Sequence, residues 1–204
     1  MHAIYTENEL LQMTTRLAEV AEIRMGYTFR NRLEPEMGGD VAVIQMKDID
    51  DSNLLHPENL VRIQMPELKD KHLVQEGDLM FKSRGVSNAA SLVADNLGRT
   101  VLAAPMMLIR PDANKVDAAY LQWFINQPST QNILSAQAAG TAVKMISKAA
   151  LEQLVIAIPP LEAQRRIVEI GRIASLEARI TTELMDRRKV LIEKILMREA
   201  QDVR

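Results

Sequence analysis

The sequence has 204 residues, 47% of them hydrophobic and 25% charged, with 25 basic against 27 acidic side chains and a net charge of -2. That suits an ordinary folded domain with one good core, and the lack of any cysteine excludes disulfides, thiolate metal centres and a cysteine nucleophile. No apolar run approaches the ~18 residues of a membrane span, and Glu7 and Glu9 precede any hydrophobic stretch, so a cytoplasmic protein without a signal peptide is expected.

In chain order, a short helix is expected after Thr6 as N-cap, followed by a strand over Leu17-Ala-Glu-Val-Ala-Glu-Ile23 that runs into Gly26-Tyr-Thr-Phe29. Residues 30–40 are polar and glycine-rich and read as an exposed loop. Val41-Ala-Val-Ile-Gln-Met46 is the clearest buried strand, and the acidic turn Asp48, Asp50, Asp51 after it should be solvated. Short strands follow at 60–65, 73–74 and 79–81, and then the polar break Lys82-Ser-Arg-Gly85. Ser91-Leu-Val93 and Thr100-Val-Leu102 flank Asn96-Leu-Gly-Arg99, which reads as a hairpin connection. Met106-Met-Leu-Ile109 closes the series. Strands this short, with turn signals roughly every ten residues, favour a curled, mostly antiparallel sheet or barrel-like domain with small helices, an α+β class.

The period then changes. Residues 117–137 read as two helices split by Pro128, with Trp123 and Phe124 in the core rather than on a base-stacking platform. Ser147 should cap a short helix, and Leu154–Ile158 should be a strand. After Pro159-Pro160 about 40 residues run without another proline, which predicts one long helix on the order of 60 Å. Ile170, Ile173, Ile180, Leu184, Leu191 and Ile195 form its apolar stripe, the last five spaced seven, four, seven and four apart. A stripe this long exceeds what a small domain needs to cover itself and reads as a coiled-coil seam. Residues 1–158 are thus expected to form one domain and 159–204 a spacer and dimerisation helix.

Signatures of catalysis are missing: there is no phosphate-cradling glycine loop, histidine pair or nucleophile elbow. His2, His56 and His72 are scattered among polar residues, so neither a metal nor another cofactor is expected. What remains is a set of polar loops, each following a strand, beside a helix suited to pairing.

Five segments in order carry a resemblance: 17–26, Val43-Ile-Gln-Met-Lys-Asp-Ile49, Gly77-Asp-Leu-Met-Phe-Lys-Ser-Arg-Gly85, Gly140-Thr-Ala-Val-Lys-Met-Ile-Ser147 and Ile158-Pro-Pro-Leu-Glu-Ala-Gln-Arg-Arg-Ile167. Together they resemble the DNA specificity subunit of type I restriction-modification systems. The resemblance implies a non-catalytic reader of double-stranded DNA that works with methyltransferase and restriction subunits, which supply the chemistry. Typical members carry two recognition domains and two spacer helices, whereas one of each is present here. A homodimer through antiparallel long helices would restore the pair and read a palindromic split site.

Charge and loop position nominate Lys82, Ser83, Arg84 and Asn88 for DNA contact, with Gly85 allowing close backbone approach. Tyr27, Arg30 and Arg32 form a second set, and Thr141, Lys144 and Ser147 a third. Arginine and asparagine suit base edges, while lysine and serine more often hold phosphates. The net charge of -2 favours an alternative: a coiled-coil assembly or regulatory protein that keeps the fold without binding DNA. A detached piece of a fused methyltransferase or nuclease is less consistent with a chain that starts cleanly and stops just after the helix.

Overall fold

The computed structural model describes residues 13–50, 52–85, 88–138 and 145–202. The expected helix after Thr6, and the candidate residues Thr141 and Lys144, lie outside them. The chain divides into two compact units, Met1–Arg165 and Arg166–Arg204.

In the first unit the centre is a strand buried on both faces. β1 (Thr14–Arg16), α1 (Leu17–Val20) and β2 (Ala21–Met25) precede β3 (Val41–Ile44), and β4 (Val61–Ile63) pairs antiparallel with β3, Val41 opposite Ile63. β3 is flanked on its other side by β7 (Thr100–Leu102), in parallel register with Val43 opposite Val101. Side chains alternate along a strand, so Val41 and Val43 enter one cluster with Ile63, Met65 and Val101. Ile44 enters another, with Met80, Leu102, Met106 and Leu108. This small sheet therefore separates two apolar clusters, which is why Val-Ala-Val-Ile carries no polar position.

A second sheet runs β2-β8-β5-β6, from β5 (Leu79–Phe81), β6 (Ala90–Leu92) and β8 (Met107–Pro111), with every pair antiparallel. β1 pairs antiparallel with β9 (Val155–Ala157). These sheets do not close into a barrel. Two expectations are corrected. Leu17–Ile23 is not one strand: Leu17 and Val20, three apart, are both buried by a helical turn, and alternation begins only at Ala21 and Ile23. Nor is 96–99 a hairpin connection, although Gly98 does take a positive φ of 65°. β6 pairs with β5 and β7 with β3, because Val101 and Leu102 each fill one of the two clusters flanking the small sheet.

Helices α2 (Ala118–Ile125), α3 (Pro128–Gln137) and α4 (Lys148–Glu152) follow where the sequence puts them. Asp117 caps α2, its Oδ1 accepting from the Tyr120 amide at 3.0 Å. The Tyr120 hydroxyl donates to the Ala157 carbonyl at 2.8 Å, tying α2 to β9, and burial pushes that phenol's pKa up to about 12. Trp123 and Phe124 are half-buried, both beside the Tyr120 ring. The Asn126 amide donates to the Ala90 carbonyl and accepts from the Ala90 amide, both at 2.8 Å. This carboxamide pairs with the backbone of edge strand β6 in place of a further strand.

Two polar clusters lock the unit. Asp78, its side chain only 2% exposed, receives two bonds of 2.7 Å from Arg110 and a third of the same length from the Gln75 amide. This hydrogen-bonded pairing raises the Arg110 pKa further. Gln164 is fully buried in the first turn of α5 (Leu161–Asp202). Its Nε2 donates to the carbonyls of Pro159 at 2.7 Å and Lys115 at 3.2 Å, and its Oε1 accepts from the Asp117 amide at 2.8 Å.

The second unit is the remainder of α5, on which Ile170, Ile173, Ile180, Leu184, Leu191 and Ile195 are all exposed. No helix among the described residues is long and apolar enough to cross a membrane.

Gln164→Ala would strand three backbone groups in the interior at about 1–3 kcal/mol each before relaxation. A net destabilisation of ~2–4 kcal/mol is expected in urea unfolding, and a stability within ~0.5 kcal/mol of wild type would show that these contacts are dispensable.

Candidate functional site

Three separated segments meet around an open cleft of about 520 Å³. Phe29, Asn31, Arg32 and Leu33 come from the loop after β2, Gln45, Met46 and Lys47 from the turn after β3, and Arg84 from the segment after β5, with Ala103–Pro105 as the floor. Its cations are Arg32, Lys47 and Arg84, and its described lining contains no carboxylate. None of the three forms an ion pair with another described residue. A second cleft of about 330 Å³ is lined by Glu76, Asp78 and Asp117 as well as Arg110 and Arg165, and so lacks this single sign of charge.

Local structure explains why Arg84 projects. Lys82 and Ser83 are 9% and 1% exposed. The Lys82 ammonium turns inward to the carbonyls of Asp50 at 3.1 Å and Ile49 at 3.3 Å, while Ser83 Oγ donates to the Pro105 carbonyl at 2.6 Å. Asn88 Nδ2 donates to the Lys82 carbonyl at 3.1 Å. Arg84 bridges antiparallel to Met145, and the Ile146 amide donates to the Ser83 carbonyl at 2.8 Å. Gly85 has a φ of 122°, and a Cβ there would meet only Met46 Cε at 3.8 Å. Within the chain, this glycine is therefore set by its backbone angle and not by crowding.

Of the nominated residues, the structure brings Arg32 and Arg84 together in the cleft. Lys82, Ser83 and Asn88 hold the loop from beneath. Tyr27 packs at a tilt against Phe29 with ring centroids 5.0 Å apart and bridges to Ala103. Arg30 is exposed but does not line the cleft. Ser147 is exposed and caps α4, its Oγ accepting from the Ala150 amide at 3.1 Å. Lys47 and Gln45 were missed; Lys47 sits in what read as a turn, and nothing in its neighbours marks a cleft. Gln45 Nε2 is shut off from solvent and has no partner among the described residues, leaving one donor of the cleft wall unused.

The acidic turn is also corrected. Asp48 is 6% exposed, and its Oδ2 accepts from the Gln45 amide at 2.8 Å, so it braces the cleft wall instead of facing water. Asp51 lies outside the described residues. Asp50 accepts from the Leu54 amide, which chiefly lowers its pKa, and it also bonds His56 Nε2 at 3.0 Å. That bond chiefly raises the His56 pKa, with a smaller contribution from Glu58. Among the described residues, no cluster of histidine and carboxylate side chains has the make-up of a metal site.

Residues 11–194 match the family described as the type I restriction modification DNA specificity domain. Three solved structures share the fold. The HsdS subunit from Thermoanaerobacter tengcongensis aligns at 18% identity with a TM-score of 0.61, covering 84% of this chain and 44% of that one. A structure reported for the assembly and conformational transition of the type I R-M system aligns at 22% identity and 0.61, covering 82% and 39%. The S subunit of a type I restriction-modification system from M. genitalium aligns at 14% identity and 0.51, covering 78% and 38%. This chain thus spans less than half the length of each of these structures. No curated protein matches it.

The Asp50–His56 contact gives the turn a defined pH response. His56 holds its proton more tightly when folded, so its contribution is full below the unfolded histidine value and fades as pH rises through the raised one. Asp50 contributes above its unfolded value and loses that as pH falls through the lowered one, so the contact works in the window between the two. In an NMR titration of the imidazole, His56 should titrate above 6.5 and move down in Asp50→Asn; an unmoved titration would contradict the assignment.

Proposed function

The chain belongs to the type I restriction modification DNA specificity domain family, and from that premise we propose that it is a non-catalytic DNA-reading subunit. It reads one half of a split duplex sequence and pairs through its long helix, while methyltransferase and restriction subunits supply the chemistry. The observation that carries this reading is the cleft itself. Three loops separated in sequence place Arg32, Lys47 and Arg84 around one opening without a described carboxylate. A polyanion is the ligand such a surface favours.

Roles follow from donor geometry. Arg84 presents a planar fork suited to the O6 and N7 acceptors of guanine in the major groove, whereas Lys47 is a point charge suited to phosphate. Arg32 sits on a separate loop and can contact the backbone beside either. Thr141 and Lys144, outside the described residues, stay candidates for phosphate contact through their polar and basic side chains alone. Two chains related by a two-fold axis through their helices would present two such clefts and require a palindromic, interrupted site. One observation favours the reading in which the fold serves assembly alone: Lys82, a candidate cation, spends its charge on two internal carbonyls.

Two experiments test the proposal. Selection from a randomised duplex pool, with and without the methyltransferase subunit, should recover a split palindrome whose affinity falls steeply between two salt concentrations. Recovery of no sequence in either condition would leave the assembly protein as the better account. Arg84→Ala should weaken specific binding by about 1–3 kcal/mol at unchanged thermal stability, while Lys82→Met should lower thermal stability first. Equal affinity of wild type and Arg84→Ala would take this loop out of the interface.

A further inference from the structure

The long helix carries a self-complementary pattern that specifies how two copies meet. From residue 172 to 201 the helix is exposed throughout, with about half the surface of Ile173, Ile180, Leu184 and Leu191 or more open to solvent. Eighteen residues make five turns, so Ile173 and Leu191 lie on one line along the helix, and Ile180 and Leu184 fall within about 40° of each other beside it. Their spacing of seven, four and seven reads the same in both directions.

Resting on the pairing reading above, we propose that this stripe docks a second copy of the same helix, antiparallel, with the two-fold axis passing at Thr182. Ile173 then faces the partner's Leu191, and Ile180 faces the partner's Leu184. The seven-residue gap between Ile173 and Ile180 is filled by Glu177, which lies opposite the partner's Arg187. The two-fold makes each contact occur twice, giving four apolar layers with an ionic layer inside each end one, and the helices overlap over residues 166–198, about 50 Å.

Charge selects this register over its rivals. The spacing of four, seven and four from Ile180 to Ile195 is also symmetric, but it would centre the pair between Arg187 and Arg188 and set Arg187 against the partner's Arg188. Parallel pairing sets Glu177 and Arg187 each against its own copy. Like charges across a helix seam are destabilising, and polar layers within a coiled coil fix register and orientation. Within one helix Arg187 bonds Glu183 four residues back, which holds the guanidinium on the helix surface as the register requires. With Glu177 and Arg187 included, the seam positions are spaced four, three, four, three and four, a 3.5-residue repeat, so the pair winds as a left-handed coil.

The chain has no cysteine, so introduced thiols report single contacts. Ile173→Cys and Leu191→Cys chains, co-expressed with different tags and oxidised, should give a disulfide-linked heterodimer as the main product, with little cross-linking of either variant alone. Wild-type protein should sediment as a dimer in parallel. A dimer that cross-links instead through Ile180→Cys with Ile195→Cys, or through Ile173→Cys with itself, would overturn the register while leaving pairing intact. A monomer in sedimentation with no cross-link in any combination would remove the pairing reading and this inference with it.

Discussion

The fold depends on one carboxamide. Gln164 has three hydrogen-bond partners, the backbone groups of Lys115, Asp117 and Pro159, which belong to a turn, a helix cap and the segment entering α5. None of these groups can reach a ladder or a helix of its own, because each sits where one element stops and the next has yet to begin. A buried donor or acceptor without a partner costs more than a typical hydrogen bond contributes, so the glutamine fixes the relative placement of all three. Through Asp117 it holds α2, and through Tyr120 α2 holds β9. The end of the sheet and the start of the long helix are thereby positioned by a single side chain.

The same economy recurs around the cleft, where the polar groups that read as surface do internal work. Lys82 and Ser83 satisfy three carbonyls of neighbouring segments, Asp48 holds a strand end, and Asn126 completes an edge. Because these groups turn inward, the residues between them turn outward. Arg84 projects as the next residue along an extended segment whose preceding side chain is anchored to Pro105. A global charge of -2 says little about such a surface, since the acids pair elsewhere, as Asp78 with Arg110 and Asp40 with Arg99.

Much of this architecture was legible in the residues. Val41–Ile44, Leu79–Phe81 and Met107–Ile109 announce themselves because each is apolar on both faces or flanked by turn residues, and the long helix follows from a stripe unbroken by proline. Asp117 and Ser147 cap the helices where their side chains allow. What was not legible is long-range. Leu17 and Val20 fit a strand or a helical turn equally well, and only packing decides between them. The turn 96–99 has hairpin chemistry, yet β7 joins a strand some sixty residues earlier. Site residues suffered most from this, since whether Lys82 or Lys47 reaches the surface depends on carbonyls of Ile49 and Asp50 that no local pattern reveals.

Anchoring from beneath has a consequence for how such a surface can change over generations. Backbone contacts of Ser83, Asn88 and Ile146 hold the segment around Arg84, while the Arg84 side chain itself makes no described bond that the core relies on. Substitution at the tip therefore alters what is displayed without a toll on folding. Single exchanges at the tip therefore leave each intermediate a folded molecule, the frame held from within and the displayed side chain free to vary.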